Sequence, residues 1–201
     1  GSAGGTVKFD TATAVFNLEG ATINIDGGWE NDINATITPG TSTVVFDGTS
    51  GTKTIETSGQ PFNNLQFNDM AGTATYQIVD SLDVNGTFTL TDGILDLSTN
   101  NPNVNVAGNF TLNGGTYTSG TGTLTFDGNL NFADNIGGVN LGDVQIAGAG
   151  STATLTTDMT TIDLTITATN GLVTDGYTID INGHLDVDGT LNIANGGGGN
   201  T

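Results

Sequence analysis

Residues 40–48 read GTSTVVFDG, and residues 121–128 read TGTLTFDG. The two segments place Phe46 in register with Phe126. A similarity that returns after a fixed spacing, here about 80 residues, is typical of solenoids and other repeat arrays. The sequence therefore predicts a chain built from copies of one unit.

Further matches extend the repeat in both directions. They pair Leu65–Phe67 with Val144–Ile146, Thr73–Thr75 with Thr152–Thr154, and Ile23–Ile25 with Val104–Val106. We predict a single continuous unit over residues 1–201, with a partial repeat at 1–47, a repeat at 48–127 and a partial repeat at 128–201. Phe46 and Phe126 should then be buried at equivalent places about four coils apart, and Asp47 and Asp127 should lie at outward turns.

Short segments of the chain alternate apolar and polar residues, as in Ile23–Ile25, Leu82–Val84 and Leu185–Val187. This alternation predicts strands with apolar side chains inside and polar side chains outside. No stretch repeats its apolar residues at the helical period, so we expect essentially no helix. Asn-Gly and Asp-Gly pairs lie between the strands, and we expect their glycines to supply the positive φ angles of tight turns.

The predicted strands are very short and closely spaced, which favours an all-β fold of the right-handed parallel β-helix type, a β-solenoid with internal repeats of about 80 residues. Right-handed winding is the general rule for parallel crossovers. With roughly 20 residues per coil, about ten coils spaced about 4.8 Å apart would form a rod about 50 Å long. Because Asn-Gly pairs also mark hairpins, a β-sandwich or jelly roll is the alternative.

The composition excludes several classes of function. The chain carries 21 acidic residues against Lys8 and Lys53, and its formal net charge is −19. Such a charge repels nucleic acid and anionic lipid, so we expect neither as a partner. The absence of cysteine excludes disulfides and thiolate metal sites. No apolar run is long enough to span a membrane, and we expect no membrane insertion.

Three segments carry a resemblance to a known group of proteins: Asn64–Asn68, Leu82–Asp96 and Gly122–Gly128. Their pattern resembles the degenerate repeats of very large bacterial surface proteins, the adhesins and autotransporter passenger regions that are similar to filamentous-haemagglutinin β-helices. The resemblance implies a β-solenoid at an extracellular or cell-surface location in a bacterium or archaeon. It implies architecture more than activity.

The sequence offers little for catalysis. His184 follows an Asn-Gly turn and reads as an exposed turn residue, and no nucleophile-elbow pattern surrounds a serine. Acid pairs such as Asp186 with Asp188, or Asp80 with Asp83, lack a nearby arginine of the kind that β-helix polysaccharidases use. We expect no enzyme activity and no cofactor. Weak candidates for a calcium site are Asp180, Asp186 and Asp188, since carboxylate oxygens suit Ca²⁺.

The sequence also contains threonine pairs and N-glycosylation sequons, which are both expected on the outer surface of the solenoid. Thr-x-Thr pairs occur throughout, for example Thr36/Thr38, Thr123/Thr125 and Thr152/Thr154, and threonine ranks resemble ice-binding surfaces. Their irregular spacing argues against one pair per coil, so ice binding is a minor alternative. Three N-glycosylation sequons begin at Asn34, Asn85 and Asn109.

The function that the sequence predicts best is structural. A solenoid exposes strand edges at both ends, and such edges must be capped, extended or paired. We expect a subunit of an extracellular filament or surface fibre that assembles with itself head to tail. The predicted interface consists of Val7, Phe9, Val15 and Phe16. The alternative is a stalk or binding module of a large adhesin that attaches to glycan or to a surface.

Overall fold

The computed structural model describes residues 5–31 and 35–193, and these residues form strands, turns and loops without a helix. Every strand pairing among them is parallel. The chain winds as a β-solenoid of about nine turns. The predicted all-β parallel β-solenoid is therefore confirmed. The β-sandwich alternative is wrong, because the Asn-Gly pairs connect successive faces of a coil and not the strands of a hairpin.

Three faces run along the solenoid. The longest is a nine-stranded sheet, called here the long sheet. Its strands are β3 (Thr22–Ile25), β6 (Thr43–Phe46), β8 (Asn64–Asn68), β11 (Phe88–Asp92), β14 (Phe110–Leu112), β17 (Leu130–Asp134), β19 (Thr152–Leu155), β22 (Gly171–Val173) and β25 (Thr190–Asn192).

The second face, called here the first short sheet, has six strands. They are β1 (Val7–Lys8), β4 (Trp29–Glu30), β7 (Gly51–Glu56), β9 (Ala74–Ile78), β12 (Ile94–Asp96) and β15 (Thr116–Thr118). After an irregular stretch the same face continues as the pair β20 (Met159–Thr161) and β23 (Ile179–Ile181). The bridge between Asn140 and Thr160 lies in that transition.

The third face begins with the pair β2 (Val15–Asn17) and β5 (Thr36–Thr38) and continues as a second six-stranded sheet, called here the second short sheet. Its strands are β10 (Leu82–Val84), β13 (Val104–Val106), β16 (Thr123–Phe126), β18 (Asp143–Ile146), β21 (Leu164–Ile166) and β24 (Leu185–Val187). Between β5 and β10 this face has no regular strand among the described residues. There, Oε1 of Gln60 accepts a hydrogen bond from the Ile37 amide, and Phe62 forms an isolated parallel bridge with Val84 of β10.

The core is a column of aromatic side chains that gives way to aliphatic ones. Phe88 and Phe110 are partners on neighbouring strands, and their rings stack at 4.8 Å with an angle of 7° between planes. Phe132 continues this column, but Leu155 follows it. The interior of the solenoid is therefore wide enough for stacked rings in its first two thirds and is filled by smaller side chains beyond them.

The alignment of the long repeat does not describe the geometry of the solenoid. Phe46 and Phe126 are both fully buried, as predicted, and the acids that follow them are partly exposed. However, Phe46 lies in the long sheet and Phe126 in the second short sheet, so the prediction of equivalent places is wrong.

The physical repeat is the single coil, and its length varies along the rod. A long coil leads from Trp29 to its partner Ile55 on the next coil, whereas a shorter one leads from Ala153 to its partner Leu172. The corner loops absorb this difference, because the strands themselves stay in register.

The glycines of the Asn-Gly and Asp-Gly pairs mostly serve a different purpose from the predicted one. Gly93 and Gly176 do have positive φ. At Gly27, by contrast, φ is ordinary, but a Cβ atom would lie 2.5 Å from the carbonyl oxygen of Gly5 in the adjacent coil. Gly128 likewise leaves no room for a Cβ beside the backbone of Ala107. At these corners glycine is required because coils approach one another closely.

Candidate functional site

The first coil of the described residues presents three strand edges. Among the described strands, β1 pairs only with β4, β2 only with β5, and β3 only with β6. Beneath these edges lies an aromatic cluster, in which Phe9 is 5.7 Å from Phe16 and 5.4 Å from Trp29 between ring centroids. The first coil therefore offers backbone groups on all three faces together with an apolar interior.

The last described coil ends in the same way and is more apolar at its surface. Among the described strands, β23 pairs only with β20, β24 only with β21, and β25 only with β22. Leu185 is 48% exposed and Ile193 is 71% exposed, although each occupies a position that is inward-facing in the preceding coils. A groove of about 380 Å³ lies between them, and Tyr177, Ile179 and Ile181 also line it.

The direction of the backbone hydrogen bonds makes the two ends different. In the first coil the inward residues bond to the second coil: the amides of Val7 and Phe9 donate to Gly28 and Glu30 at 2.9 and 3.2 Å. In a parallel ladder alternate residues bond to opposite sides, so the N–H and C=O of the outward residue Lys8 point away from the second coil.

In the last coil, the outward residues are the ones whose backbone groups bond to the neighbouring coil. Met159 donates to the carbonyl of Thr178, and the amide of Asn182 donates to that of Thr161. This pattern directs the backbone groups of the outward residue Asp180 to the preceding coil. The N–H and C=O of Ile179 and Ile181 point to the other side. One end thus presents the backbone groups of outward residues, and the other presents those of inward residues.

The same alternation holds on the other two faces. At the first coil, Thr36 donates to the carbonyl of Ala14, and Asp47 donates to that of Ile25. The backbone groups of the inward residues of the first coil therefore bond to the second coil. The amide of the outward residue Val15 points away from the second coil. At the last coil, the amide of Thr174 donates to the carbonyl of Asn192. The backbone of the outward residue Asn192 is therefore bonded to the preceding coil. In parallel pairing, each end complements the other end and neither complements a copy of itself.

Charge is also distributed unevenly between the ends. Lys8, one of two cationic side chains in the sequence, lies on the edge strand β1, where its Nζ is 2.6 Å from Oε1 of Glu30. The last coil carries outward acids instead: Asp175, Asp180, Asp186 and Asp188 are all exposed. The first coil thus carries one lysine beside the exposed acids Asp10 and Glu19, whereas the described residues of the last coil carry four exposed acids and no lysine.

The predicted interface residues occupy different environments. Phe9 is buried at 8% exposure, and Val7 and Phe16 are half-buried against the core. Val15 points outward and is 68% exposed, because β2 places Phe16 and not Val15 on the inner side. All four residues lie in the first coil, and their role in assembly stays a prediction.

The residues considered for calcium and catalysis are not brought into a site. Asp180 lies on β23, whereas Asp186 lies on β24 and Asp188 follows that strand on another face. Within residues 5–31 and 35–193, no group of three or more acids or histidines could hold a metal ion. The side chain of His184 is 92% exposed, and its Nδ1 is 3.6 Å from Oδ1 of Asp163.

The outer surface of the long sheet is an uncharged polar face. The outward residues at the centres of its strands are threonine, asparagine, glutamine, valine, alanine and glycine, although the chain as a whole is strongly acidic. Two shallow grooves lie on it, of about 300 and 180 Å³. Their polar lining comes from Asn109, Asn129, Asn131, Thr152, Thr154, Thr169, Asn170, Thr190 and Asn192.

The Thr-x-Thr pairs do not gather on this face. Thr152/Thr154 lie on the long sheet, but Thr123/Thr125 lie on the second short sheet and Thr36/Thr38 on β5. Of the sequons, Asn85 and Asn109 are exposed, and Oδ1 of Asn109 accepts a hydrogen bond from the Asn131 amide at 2.9 Å. Asn34 lies outside the described residues.

Sequence reasoning missed a set of acids that organise the corners. Asp69 is fully buried, and its carboxylate accepts hydrogen bonds from the amides of Ala71 and Thr73. Burial raises its pKa, but these backbone hydrogen bonds outweigh burial and hold the pKa below its ordinary value. Asp134 closes a similar loop three coils later through the amides of Gly137 and Val139. An acid two residues after a buried phenylalanine is the signal that marks both loops.

No protein-family model, curated protein or solved structure matches this chain. The described residues include no helix that is long and apolar enough to cross a membrane.

Proposed function

We propose that this protein is a structural subunit of an extracellular filament or surface fibre and that it assembles with itself head to tail. The observation that carries the proposal is the complementarity of the two ends. One end presents the backbone groups of outward residues and the other those of inward residues, so parallel pairing between copies satisfies both. Contact between unlike ends does not close on itself and yields fibres.

The exposed apolar side chains at the end of the core support the same function. Exposed side chains of the last coil, such as Leu185, would be covered by the first coil of the next copy, and burial of apolar surface favours this by about 25 cal/mol per Å². The acidic flanks would keep separate fibres apart in solution. The extracellular location belongs to the proposal, and the resemblance to bacterial surface repeats supports it.

The proposal is tested by sedimentation velocity and negative-stain microscopy of the whole chain over a range of concentrations. Long fibres of uniform width support it. Leu185→Asp should abolish them, since it places a charge in the joint. Met70→Asp is the matched control, because Met70 is 85% exposed on the flank of the rod, and fibres of this variant should be normal. Wild-type rods that stay single at every concentration would refute the proposal.

A second function is favoured by the uncharged face of the long sheet. We propose as the alternative that the chain is a stalk or binding module of an adhesin, in which this face contacts neutral glycan. Amide and hydroxyl groups such as those of Asn131 and Thr154 suit the hydroxyl groups of sugars. Single short rods that bind a neutral glycan array, and lose binding in Asn131→Asp, would favour this alternative over the filament.

A further inference from the structure

Among the described residues, Asn-Gly pairs at the corners of the solenoid begin at Asn85, Asn113, Asn170 and Asn182. An asparagine followed by glycine closes readily to a cyclic imide, because glycine has no side chain to shield its own amide nitrogen from the asparagine Cγ. The approach of the coils requires glycine at such a corner, since a Cβ at Gly114 would lie 2.4 Å from the carbonyl oxygen of Thr91. The geometry of the fold therefore retains a chemically reactive pair.

The ladder of backbone hydrogen bonds protects most of these pairs. Cyclisation requires that the glycine N–H be free to lose its proton and attack the side chain. In the folded chain this N–H donates to a carbonyl of the preceding coil, at 2.8 Å for Gly86, 2.9 Å for Gly171 and 2.8 Å for Gly183. These three nitrogens become reactive only when the local structure opens.

Gly114 is held less well than the other three glycines. Its N–H lies 3.3 Å from the carbonyl oxygen of Leu90, and the same oxygen accepts a shorter bond of 2.8 Å from the amide of Asn113. The longer distance lies outside the usual range for an N–H···O bond. The nitrogen that would attack Asn113 is therefore the one with the weakest hydrogen bond.

The side chain of Asn113 is also placed for the reaction. It is exposed, so its Nδ2 can leave into solvent. Its Oδ1 accepts a hydrogen bond of 2.7 Å from Nδ2 of Asn135 on the next coil. A hydrogen bond to the amide oxygen draws electron density from Cγ and makes that carbon more open to attack by nitrogen.

Asn170 shows the opposite environment. Its side chain is only 3% exposed, and its Oδ1 accepts a hydrogen bond of 2.7 Å from the amide of Ser151. Its Nδ2 donates to Oγ1 of Thr167 at 2.8 Å and to the carbonyl of Ala168 at 3.1 Å. Three side-chain hydrogen bonds must break before this Cγ can turn toward its glycine.

We infer that Asn113 is a modification site, at which the folded chain deamidates without an enzyme. The Gly114 nitrogen gives its proton to solvent base and bonds to Cγ of Asn113, while the bond from Cγ to Nδ2 breaks and ammonia leaves. Water then opens the imide at one of its two carbonyl groups. The net reaction consumes one water, releases one ammonia and leaves either aspartate or isoaspartate, with no change of oxidation state.

The two products affect the corner differently. Aspartate at position 113 keeps an oxygen that accepts the hydrogen bond from Asn135. Isoaspartate inserts one methylene group into the main chain before Gly114, where the carbonyl of Thr91 already leaves no room for a Cβ. We expect isoaspartate to separate β15 from β12, because the amide of Thr116 donates to Gly93 directly after this corner.

The experiment follows deamidation of the whole chain at mildly alkaline pH, below its unfolding temperature, by peptide mass spectrometry. Each rate in the folded chain is divided by the rate of the same site in urea, which removes the influence of local sequence. We expect this ratio to be about fivefold higher at Asn113 than at Asn85, as a difference of one hydrogen bond requires. At Asn170 it should be about a hundredfold lower than at Asn113, as three further hydrogen bonds require.

The controls assign the product to its site. Asn113→Gln should remove the mass gain from this peptide and leave the gain at Asn85 unchanged, because glutamine would have to form a larger, less favourable ring. Protein isoaspartate methyltransferase with labelled S-adenosylmethionine should mark aged wild-type protein and mark aged Asn113→Gln much less. Asn182 is left out of the comparison, since it lies in the last described coil and terminal coils open more readily.

The outcomes decide the inference independently of the filament, because β14, which precedes Asn113, is the middle strand of the long sheet. The highest ratio at Asn113 and the lowest at Asn170 support it. A ratio at Asn113 no higher than that at Asn85, or one at Asn170 equal to that at Asn113, would overturn it.

Discussion

At the scale of the residue, polar side chains tie each coil to its neighbour. Oδ1 of Asn64 accepts a hydrogen bond from the amide of Thr87 at 2.9 Å, and Oδ1 of Asn129 accepts one from Thr152 at the same distance. The phenolic hydroxyl of Tyr76 donates to the carbonyl of Gly48 at 3.0 Å. Such bonds satisfy backbone groups at the corners, where the ladders are interrupted.

The buried phenyl rings should dominate the stability of individual coils. Phe126 is fully buried, so Phe126→Ala should lower the free energy of unfolding by about 3–5 kcal/mol. Thr125→Ala, on the outer side of the same strand, should stay within about 0.5 kcal/mol of wild type. Chemical denaturation measures both, and a cost at Phe126 no larger than that at Thr125 would contradict the packing described here.

Asp127 should destabilise the fold at neutral pH. Its Oδ1 is buried without a hydrogen-bond partner, and burial raises its pKa above the ordinary value. The pKa of Asp83 is raised by burial and by the charge of Asp127. Because the ionised form is disfavoured in the folded state, its cost is present at neutral pH and disappears as the pH falls below the ordinary pKa of an aspartate.

Asp127→Asn should therefore raise the free energy of unfolding at pH 7, and its advantage over wild type should shrink toward zero near pH 3. Asp96→Asn should instead lower the free energy of unfolding at pH 7. Although burial raises the pKa of Asp96, hydrogen bonds from Thr99 and Ser98 outweigh burial and lower it to about 2. The stability that this carboxylate gives is lost as the pH falls toward 2. Denaturation curves at several pH values check both signs.

At the scale of the element, the spacing of coils is set by close backbone contact at the corners. Gly128→Ala should cost about 1–3 kcal/mol, since its Cβ would overlap the backbone of Ala107. Gly171→Ala is the control: the nearest atom to its Cβ would be 3.6 Å away, and we expect no loss of stability. Equal effects of the two substitutions on thermal unfolding would refute the role of close approach.

The sequence predicted the strands well and their arrangement less well. Alternation at Leu82–Val84 or Leu164–Ile166 identifies which residues face inward, because the period of a strand is fixed by its pleat. It does not identify the face that a strand joins. Corner loops differ in length from coil to coil, so two segments as similar as those around Phe46 and Phe126 lie on different faces.

The candidate site was predicted only in part, for a related reason. An apolar first strand was visible in the sequence as Val7 and Phe9. The complementarity of the ends depends on the side to which each N–H points, and residue types do not encode that.

At the scale of the whole molecule, a rod with a net charge of −19 must overcome its own repulsion in order to stack. Raising the ionic strength from about 0.01 to about 0.15 M shortens the Debye length from about 30 to about 8 Å. We expect the concentration for half-assembly to fall over this range, as light scattering would show. A rise instead would mean that attraction between opposite charges, and not apolar burial, drives the joint.

The central claim is that the strand edges of the two ends pair with each other, and amide hydrogen exchange tests it most directly. Exchange is compared between dispersed and assembled protein. The amides of Val15 and Ile181, which point away from their neighbouring coils, should become strongly protected on assembly, whereas the amide of Leu90 in the middle of the rod should be unchanged. Fibres in which Val15 and Ile181 exchange as fast as in the dispersed protein would contradict the account.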